Sequence, residues 1–308
     1  MKTFKSILEF QKEFNTEEKC REYLEQQRWD GTPACPFCGS INVCRFPNGK
    51  IFKCREKGCR SKFSVTVGSI YENSKLPLTK WFLATYILAV HSKGISSLQL
   101  ATWLGTTQKT AWHLNHRIRK MLTDSAPELL EGIVEIDETY VGGKEGNKHA
   151  SKRTVKGGTG NKAMVLGAVQ RNGKVRTKVI PKTDTANVVA TVTSFVQPDS
   201  IMVTDEHHAY KKLAAVYTHK TVNHREKEYV RNENGLKVHT NNIEGFWNIL
   251  KKQIVGIHHV VSEKHLQRYC NESEFRYNNR ELFQDERFAK VLTQCNGTLK
   301  YKVLIGKE

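Results

Sequence analysis

The stretch Val134-Glu135-Ile136-Asp137-Glu138-Thr139-Tyr140-Val141 reads as a β-strand of apolar and β-branched residues that carries a carboxylate, Asp137, between apolar neighbours. A charge in that position is costly unless it is paired or metal-bound. Further strands are expected over Ala163 to Gln170 and Val175 to Ile180. Asn172-Gly173 makes the tight turn between these two, so three antiparallel strands are predicted. Beyond them, Thr185 to Val196 reads as a helix, Ser200 to Asp205 as a buried strand and Lys220 to Val222 as a short strand. Ile243 to Ile254 is then a helix with Phe246, Trp247 and Leu250 on its apolar side. Strands alternating with helices in this order predict an α/β sheet flanked by helices.

Asp205 closes its strand at the carboxyl end, the edge where open α/β sheets place ligands. Glu244 lies one helical turn ahead of Trp247 and two ahead of Lys251. Three acids on three elements can converge. Such oxygen ligands hold two Mg²⁺ ions, which activate an attacking hydroxyl and stabilise the leaving oxygen in phosphodiester chemistry. Taken singly, each acid is better explained as capping a helix or pairing with one of the many Lys and Arg; their order and context together favour the metal site. Between the first two strands, Lys144 to Lys162 is a Gly/Lys/Ser-rich, positively charged loop, expected to be mobile until it meets phosphate.

Upstream, Cys35-Pro-Phe-Cys38 followed by Cys54 and Cys59 is the spacing of a zinc ribbon, with four thiolates around one structural zinc and no open coordination position. Gly39 and Gly58 supply permissive backbone at the two knuckles, and Val43 to Phe52 forms a hairpin turning at Pro47-Asn48-Gly49. Residues 1 to 30 read as amphipathic helix with a second start at Asn15-Thr16-Glu17-Glu18, and Phe63 to Val67 as a strand ending at Gly68. Leu78 to His91 is a helix. Ser96 to Leu104, a break at Gly105, and a restart at Thr106-Thr107 running to about Leu122 have helix-turn-helix grammar. There the second helix would offer Gln108, Lys109 and His113 to base edges, and Arg117, Arg119 and Lys120 to phosphates.

Forty-nine Lys plus Arg against thirty-one Asp plus Glu leave a net charge of +18, which draws polyanions and points to DNA as partner. The remaining cysteines, Cys20, Cys44, Cys270 and Cys295, have no disulfide spacing, and Glu9, Glu13 and Glu17 stand where a secretory signal would be apolar, so a reducing cytoplasm is expected. The longest apolar run, Trp81 to Val90, is too short to cross a bilayer, which excludes a membrane protein of the helical kind.

The stretches Ile136-Asp137-Glu138-Thr139-Tyr140-Val141-Gly142-Gly143-Lys144, Thr204-Asp205-Glu206-His207-His208-Ala209-Tyr210 and His239-Thr240-Asn241-Asn242-Ile243-Glu244-Gly245-Phe246-Trp247, with the ending Phe275-Arg276-Tyr277-Asn278, resemble DDE-type insertion-sequence transposases that carry an N-terminal zinc ribbon. The resemblance implies an RNase H-like mixed sheet with Asp137, Asp205 and Glu244 as the catalytic, Mg²⁺-binding residues and Lys251 against DNA near the scissile end. It also implies a homo-oligomer acting on terminal inverted repeats and target DNA in the bacterial nucleoid. Some relatives use Asn as the third ligand, which leaves Asn241 and Asn242 as alternatives to Glu244. Glu138 and Glu206 are expected to support the main acids, and His208 and His239 are weaker candidates for the same role.

The expected organisation is a helical segment (1–30), zinc ribbon (31–68), helix-turn-helix region (69–127) and RNase H-like domain (128–308). The expected function is Mg²⁺-dependent strand cleavage and strand transfer. The competing readings are a non-catalytic DNA-binding regulator and a metal-dependent nuclease without strand transfer.

Overall fold

The computed structural model describes residues 2–143, 149, 151, 162–181, 184–223, 226 and 228–307. Nearly all of the Lys144–Lys162 loop, and His224 with it, lie outside the described residues. The chain folds as two compact units, Met1–Asp124 with Glu281–Glu308, and Ser125–Arg280. The expected domain of 128–308 therefore differs from the second compact unit at its carboxyl end. Residues 281–308 leave it because Phe288, on helix α9 (Gln284–Thr293), is buried among Phe4, Phe10, Phe14 and Phe82 of the first unit, with ring centroids 5.1–5.8 Å apart. Aromatic burial on that scale outweighs sequence proximity.

In the first unit the amphipathic segment is two helices, α1 (Ile7–Glu13) and α2 (Glu17–Trp29). They are capped by Ser6 and Thr16, whose side chains accept from the Glu9 and Lys19 amides. The ribbon is a three-stranded antiparallel sheet of β1 (Val43–Arg45), β2 (Phe52–Cys54) and β3 (Lys62–Phe63), built on Phe52, Phe63 and Trp29. The strand expected over Phe63–Val67 stops at Phe63. Arg28 draws the Val65 and Val67 carbonyls to its guanidinium, and 64–69 closes as turns instead of a ladder. Helix α3 (Leu78–Val90) precedes α4 (Ser97–Leu104) and α5 (Gln108–Met121). Gly105 ends α4 at φ +57, and Thr107 caps α5, giving a helix-turn-helix with a three-residue turn.

The second unit is a five-stranded mixed sheet in the order β6-β5-β4-β7-β8, comprising β4 (Ile133–Val141), β5 (Ala163–Gln170), β6 (Val175–Ile180), β7 (Ile201–Asp205) and β8 (Thr218–Val222). The first three pair antiparallel; β7 and β8 run parallel to β4. One face packs Val134, Ile136, Leu166 and Met202 against Val188 and Val192 of α6 (Thr185–Thr193) and Leu213 of the 3-10 segment His208–Ala215. The other packs Val165, Val169 and Val175 against Ile243, Phe246, Trp247 and Leu250 of α7 (Asn241–Gln253) and Leu266 of α8 (Glu263–Asn278). This is the RNase H-like arrangement. A hairpin of β9 (Arg231–Glu233) and β10 (Leu236–Val238), turning at Asn234-Gly235 with positive φ at both, comes before α7; the strand reading did not anticipate it.

Candidate functional site

In the ribbon the Sγ atoms of Cys35, Cys38, Cys54 and Cys59 all lie within 4.8 Å of one another, with Cys35–Cys59 at 3.7 Å and Cys38–Cys54 at 3.6 Å. Tetrahedral Zn–S bonds of about 2.3 Å require sulfurs about 3.8 Å apart, so these four thiols are grouped as a zinc site needs. The first knuckle closes through Gly39, which adopts φ +75 while its amide donates to the Cys35 carbonyl at 2.8 Å. In the second knuckle the left-handed residue is Arg60 (φ 49), and Gly58 does not supply that conformation.

The acid site is built on β4 and β7. These strands pair in parallel through Ile133–Ile201, Val134–Met202 and Glu135–Val203, and the same register two residues on sets Asp137 beside Asp205 at the carboxyl end of β7. Burial, reinforced by the charges of Glu138 and Asp205, pushes the Asp137 carboxyl up to about 7. Trp247 Nε1 donates to Asp137 Oδ2 at 3.0 Å. Glu138 faces the other side of β4, as strand alternation requires, and burial raises its pKa while a 2.5 Å hydrogen bond from the Tyr210 hydroxyl opposes the rise. Asp205 Oδ1 accepts from the His207 amide at 3.0 Å. Glu244 stands exposed in the first turn of α7, one turn before Trp247, and Thr240 Oγ1 donates to it at 3.0 Å. Asp137, Asp205 and Glu138 thus influence one another directly, and Glu244 stands on the helix that carries Trp247. Among the described residues the four cysteines are the one set of three or more His, Cys, Asp or Glu with donor atoms within 4.8 Å. The acids are all hard oxygen donors, the set that suits Mg²⁺.

Glu135, which the sequence reading passed over, lies on the same face of β4 as Asp137 and is fully buried. It accepts from Arg171 Nε at 2.8 Å, from both the backbone amide and Nδ2 of Asn242 at 2.8 Å, and from the Ile243 amide at 3.2 Å. His239 Nδ1 is 3.2 Å away. Glu135 therefore anchors the amino end of α7 to the sheet, satisfying amides that the helix leaves open. The signal was present as a second carboxylate in the apolar strand at the same parity as Asp137. This clamp also places two weaker candidates. Asn242 spends its amide N–H on Glu135, and His239, its pKa lowered by burial and by Arg171, belongs to the clamp and not to the acid edge. His208 lies against His207, ring centroids 4.5 Å apart.

Of the residues expected to meet DNA, Lys251 is exposed on α7 and Lys109 is exposed on α5, its Nζ 4.9 Å from the Tyr301 ring. Gln108 Nε2 donates to Ser97 Oγ at 2.9 Å, and Lys120 Nζ to the Thr298 carbonyl at 2.7 Å. Arg117, expected to face phosphate, is instead turned inward. It is buried, donates to the Glu72 carbonyl at 2.7 Å and stacks over Trp81 at 4.8 Å, and burial lowers its pKa to about 10. Arg119 is buried as well. The helix turns this edge toward the core because Ala111, Leu114, Ile118 and Met121 occupy the same face.

The ribbon and the mixed sheet with its paired acids each fall within a stretch that matches a known transposase domain. Residues 129–278 match the ISXO2-like transposase domain and residues 15–62 the transposase zinc-ribbon domain. The chain is 29% identical over 288 residues to an uncharacterized protein in transposable element ISH50 of Halobacterium salinarum, covering 89% of this chain and 94% of that one. It is 32% identical over 122 residues to an uncharacterized transposase-like protein of Haemophilus influenzae, covering 39% of this chain and 94% of that protein. Among solved structures, a pre-cleavage Mos1 transpososome aligns over 67% of this chain and 75% of its own at 11% identity, with a TM-score of 0.27. The chain belongs to the ISXO2-like transposase family, with its zinc ribbon and DDE domain. No described helix is long and apolar enough to cross a membrane.

Proposed function

We propose that the protein binds the terminal inverted repeats of its insertion sequence through the ribbon and helix-turn-helix, and cleaves and transfers DNA strands at Asp137, Asp205 and Glu244. The supporting observation is that β4 and β7 run side by side in parallel and bring Asp137 and Asp205 close enough for the charge of Asp205 to add to burial in raising the Asp137 carboxyl. These acids would hold Mg²⁺, which when bound would activate the attacking hydroxyl and stabilise the leaving oxygen. In cleavage, the oxygen of water bonds to phosphorus as the bond to the 3′ oxygen breaks. In transfer, that 3′ hydroxyl displaces a 3′ oxygen of the target strand, so one P–O bond forms for each one lost. Asp137, Asp205 and, from α7, Glu244 would hold the divalent ions beside the scissile phosphate, and Lys251, two turns on from Glu244, would meet the DNA backbone beside it. Gln108 and Lys109 lie exposed in the first turn of α5, where a groove-reading helix presents its side chains, whereas His113, expected beside them, is half-buried with its Nε2 against the Leu299 carbonyl at 3.1 Å.

The test is cleavage and strand transfer on a plasmid carrying the chain's own gene with its flanking DNA. Asp137→Asn, Asp205→Asn and Glu244→Gln should each lower cleavage at least about a thousandfold while binding of the flanking ends is kept. Normal cleavage by the two Asp→Asn variants would refute the catalytic reading and leave a DNA-binding regulator; cleavage without joining would leave a nuclease. If Glu244→Gln cleaves normally and Asn241→Ala does not, the third ligand is the Asn241 amide.

A further inference from the structure

Two carboxylates on one face of β4 are held in opposite ways. Glu135 is paired with the Arg171 guanidinium, its charge neutralised and its oxygens committed to the start of α7. Two residues on, Asp137 is held by a neutral donor, the Trp247 indole N–H. Its neighbours follow the same rule, Glu138 being held by the Tyr210 hydroxyl and Asp205 by a backbone amide. A neutral donor orients a carboxylate without cancelling its charge.

The indole can reach Asp137 because of what lies beneath it. Gly167 stands directly opposite Asp137 in the β4–β5 register. A Cβ at that position would come 2.5 Å from Cη2 and 2.7 Å from Cζ2 of Trp247, closer than non-bonded carbon atoms approach. The buried ring is therefore seated on bare backbone at one end and hydrogen-bonded to Asp137 at the other. Glu135 fixes the first turn of α7 and Trp247 the second, with Glu244 between the two anchor points.

We propose that Trp247, seated on Gly167, is a positioning residue that orients the Asp137 carboxylate for a divalent cation while leaving its charge intact, and that Gly167 is required to make room for it. This rests on the catalytic reading of Asp137 above. Groups that orient a metal ligand in this way typically control metal affinity by about ten- to a hundredfold.

The experiment uses the full chain in four forms: wild type, Trp247→Phe, Gly167→Ala and the double variant, with Asp137→Asn as control. Three quantities are measured: melting temperature, Mn²⁺ binding by calorimetry without DNA, and the Mg²⁺ concentration for half-maximal plasmid cleavage. Trp247→Phe keeps a ring but removes the N–H and the outer indole atoms. It should raise the half-saturating Mg²⁺ and weaken Mn²⁺ about tenfold or more, with DNA binding unchanged. Gly167→Ala should do the same and also lower the melting temperature. In the double variant the melting temperature should recover, because phenylalanine lacks the atoms that meet the new methyl, while metal binding stays weak. A purely structural Trp247 would move the melts and not the metal titrations. Wild-type metal affinity in Trp247→Phe by both titrations, with Asp137→Asn inactive, would overturn the positioning role alone. An active Asp137→Asn that binds Mn²⁺ normally would overturn the catalytic reading and the positioning role together.

Discussion

In the ribbon, thiols drawn from Cys35 to Cys59 stand 3.6 and 3.7 Å apart in their pairs, already at zinc spacing. In the second unit, Asp137 and Asp205 come from separate strands and the Glu244 helix from further on; their donor atoms form no such closed set, and Asp137 pays for its company with a carboxyl pushed up to about 7. The difference follows from the ligands. Sulfurs on two short knuckles are set at zinc spacing by the local turns, and four of them leave no coordination position free. Carboxylates repel, so packing must hold them near one another at a cost to stability, and that unmet charge is what makes a site receptive to a divalent cation.

The comparison breaks most visibly at the ribbon. Zinc removal by a chelator, or Cys38→Ser, should release about one equivalent of zinc per chain and unfold β1–β3, whose core is little more than Phe52, Phe63 and Trp29. The RNase H-like unit should keep its own melt. A variant that retained stoichiometric zinc would show that the cysteines do not form the site.

Next in size is Glu135→Ala. It strips the acceptor from Arg171, Asn242 and Ile243 and leaves a half-buried guanidinium unpaired, a change worth about 3–5 kcal/mol. A fall in melting temperature of roughly 10 °C or more is expected. A change within 2 °C would mean that apolar packing alone, not this clamp, docks α7.

Asp137→Asn should act in the opposite direction in the absence of metal. The folded carboxyl titrates near 7 against an ordinary value of 3.8, so the fold favours its protonated form. The stability that Asp137 contributes is complete below about pH 4 and is lost as pH rises through 7. The variant should therefore melt roughly 3–8 °C above wild type at pH 8 and converge with it near pH 4. Added Mg²⁺ should raise the wild-type melt at pH 8 and leave the variant unmoved. A variant that melts below wild type at pH 8 would contradict the repulsive character of the acid edge.

The smallest effects are expected on α5. Lys120→Ala should lower the salt slope of DNA binding by about one, and Gln108→Ala with Lys109→Ala should relax preference for the flanking repeat over competitor DNA. Arg117→Met should instead lower the melting temperature, since its guanidinium serves Glu72 and Trp81. A stable Arg117→Met with a reduced salt slope would restore it to the DNA-facing set.

Much of this was legible because it depends on local periodicity and spacing. The cysteine knuckles, the strands Ala163–Gln170 and Val175–Ile180, the Thr16 and Thr107 caps and the break at Gly105 all follow from residues near one another in the chain. Asp137 and Asp205 stood out as acids in apolar strands, and tertiary structure added that their strands are neighbours in parallel register.

What the amino-acid order by itself determined, then, is the set of elements and the chemistry each carries. Only the tertiary structure decided which acid is structural: Glu135 and Asp137 share a strand and a face, and a guanidinium at one and an indole at the other set them apart. It also decided that Arg117 turns into the core, that Phe288 draws 281–308 into the first unit, and that Gly167 must lack a side chain. The physical reason is common to all four. Burial and hydrogen-bond partners are set by whatever the fold brings across from distant segments, and no periodicity within a segment encodes which neighbour will arrive.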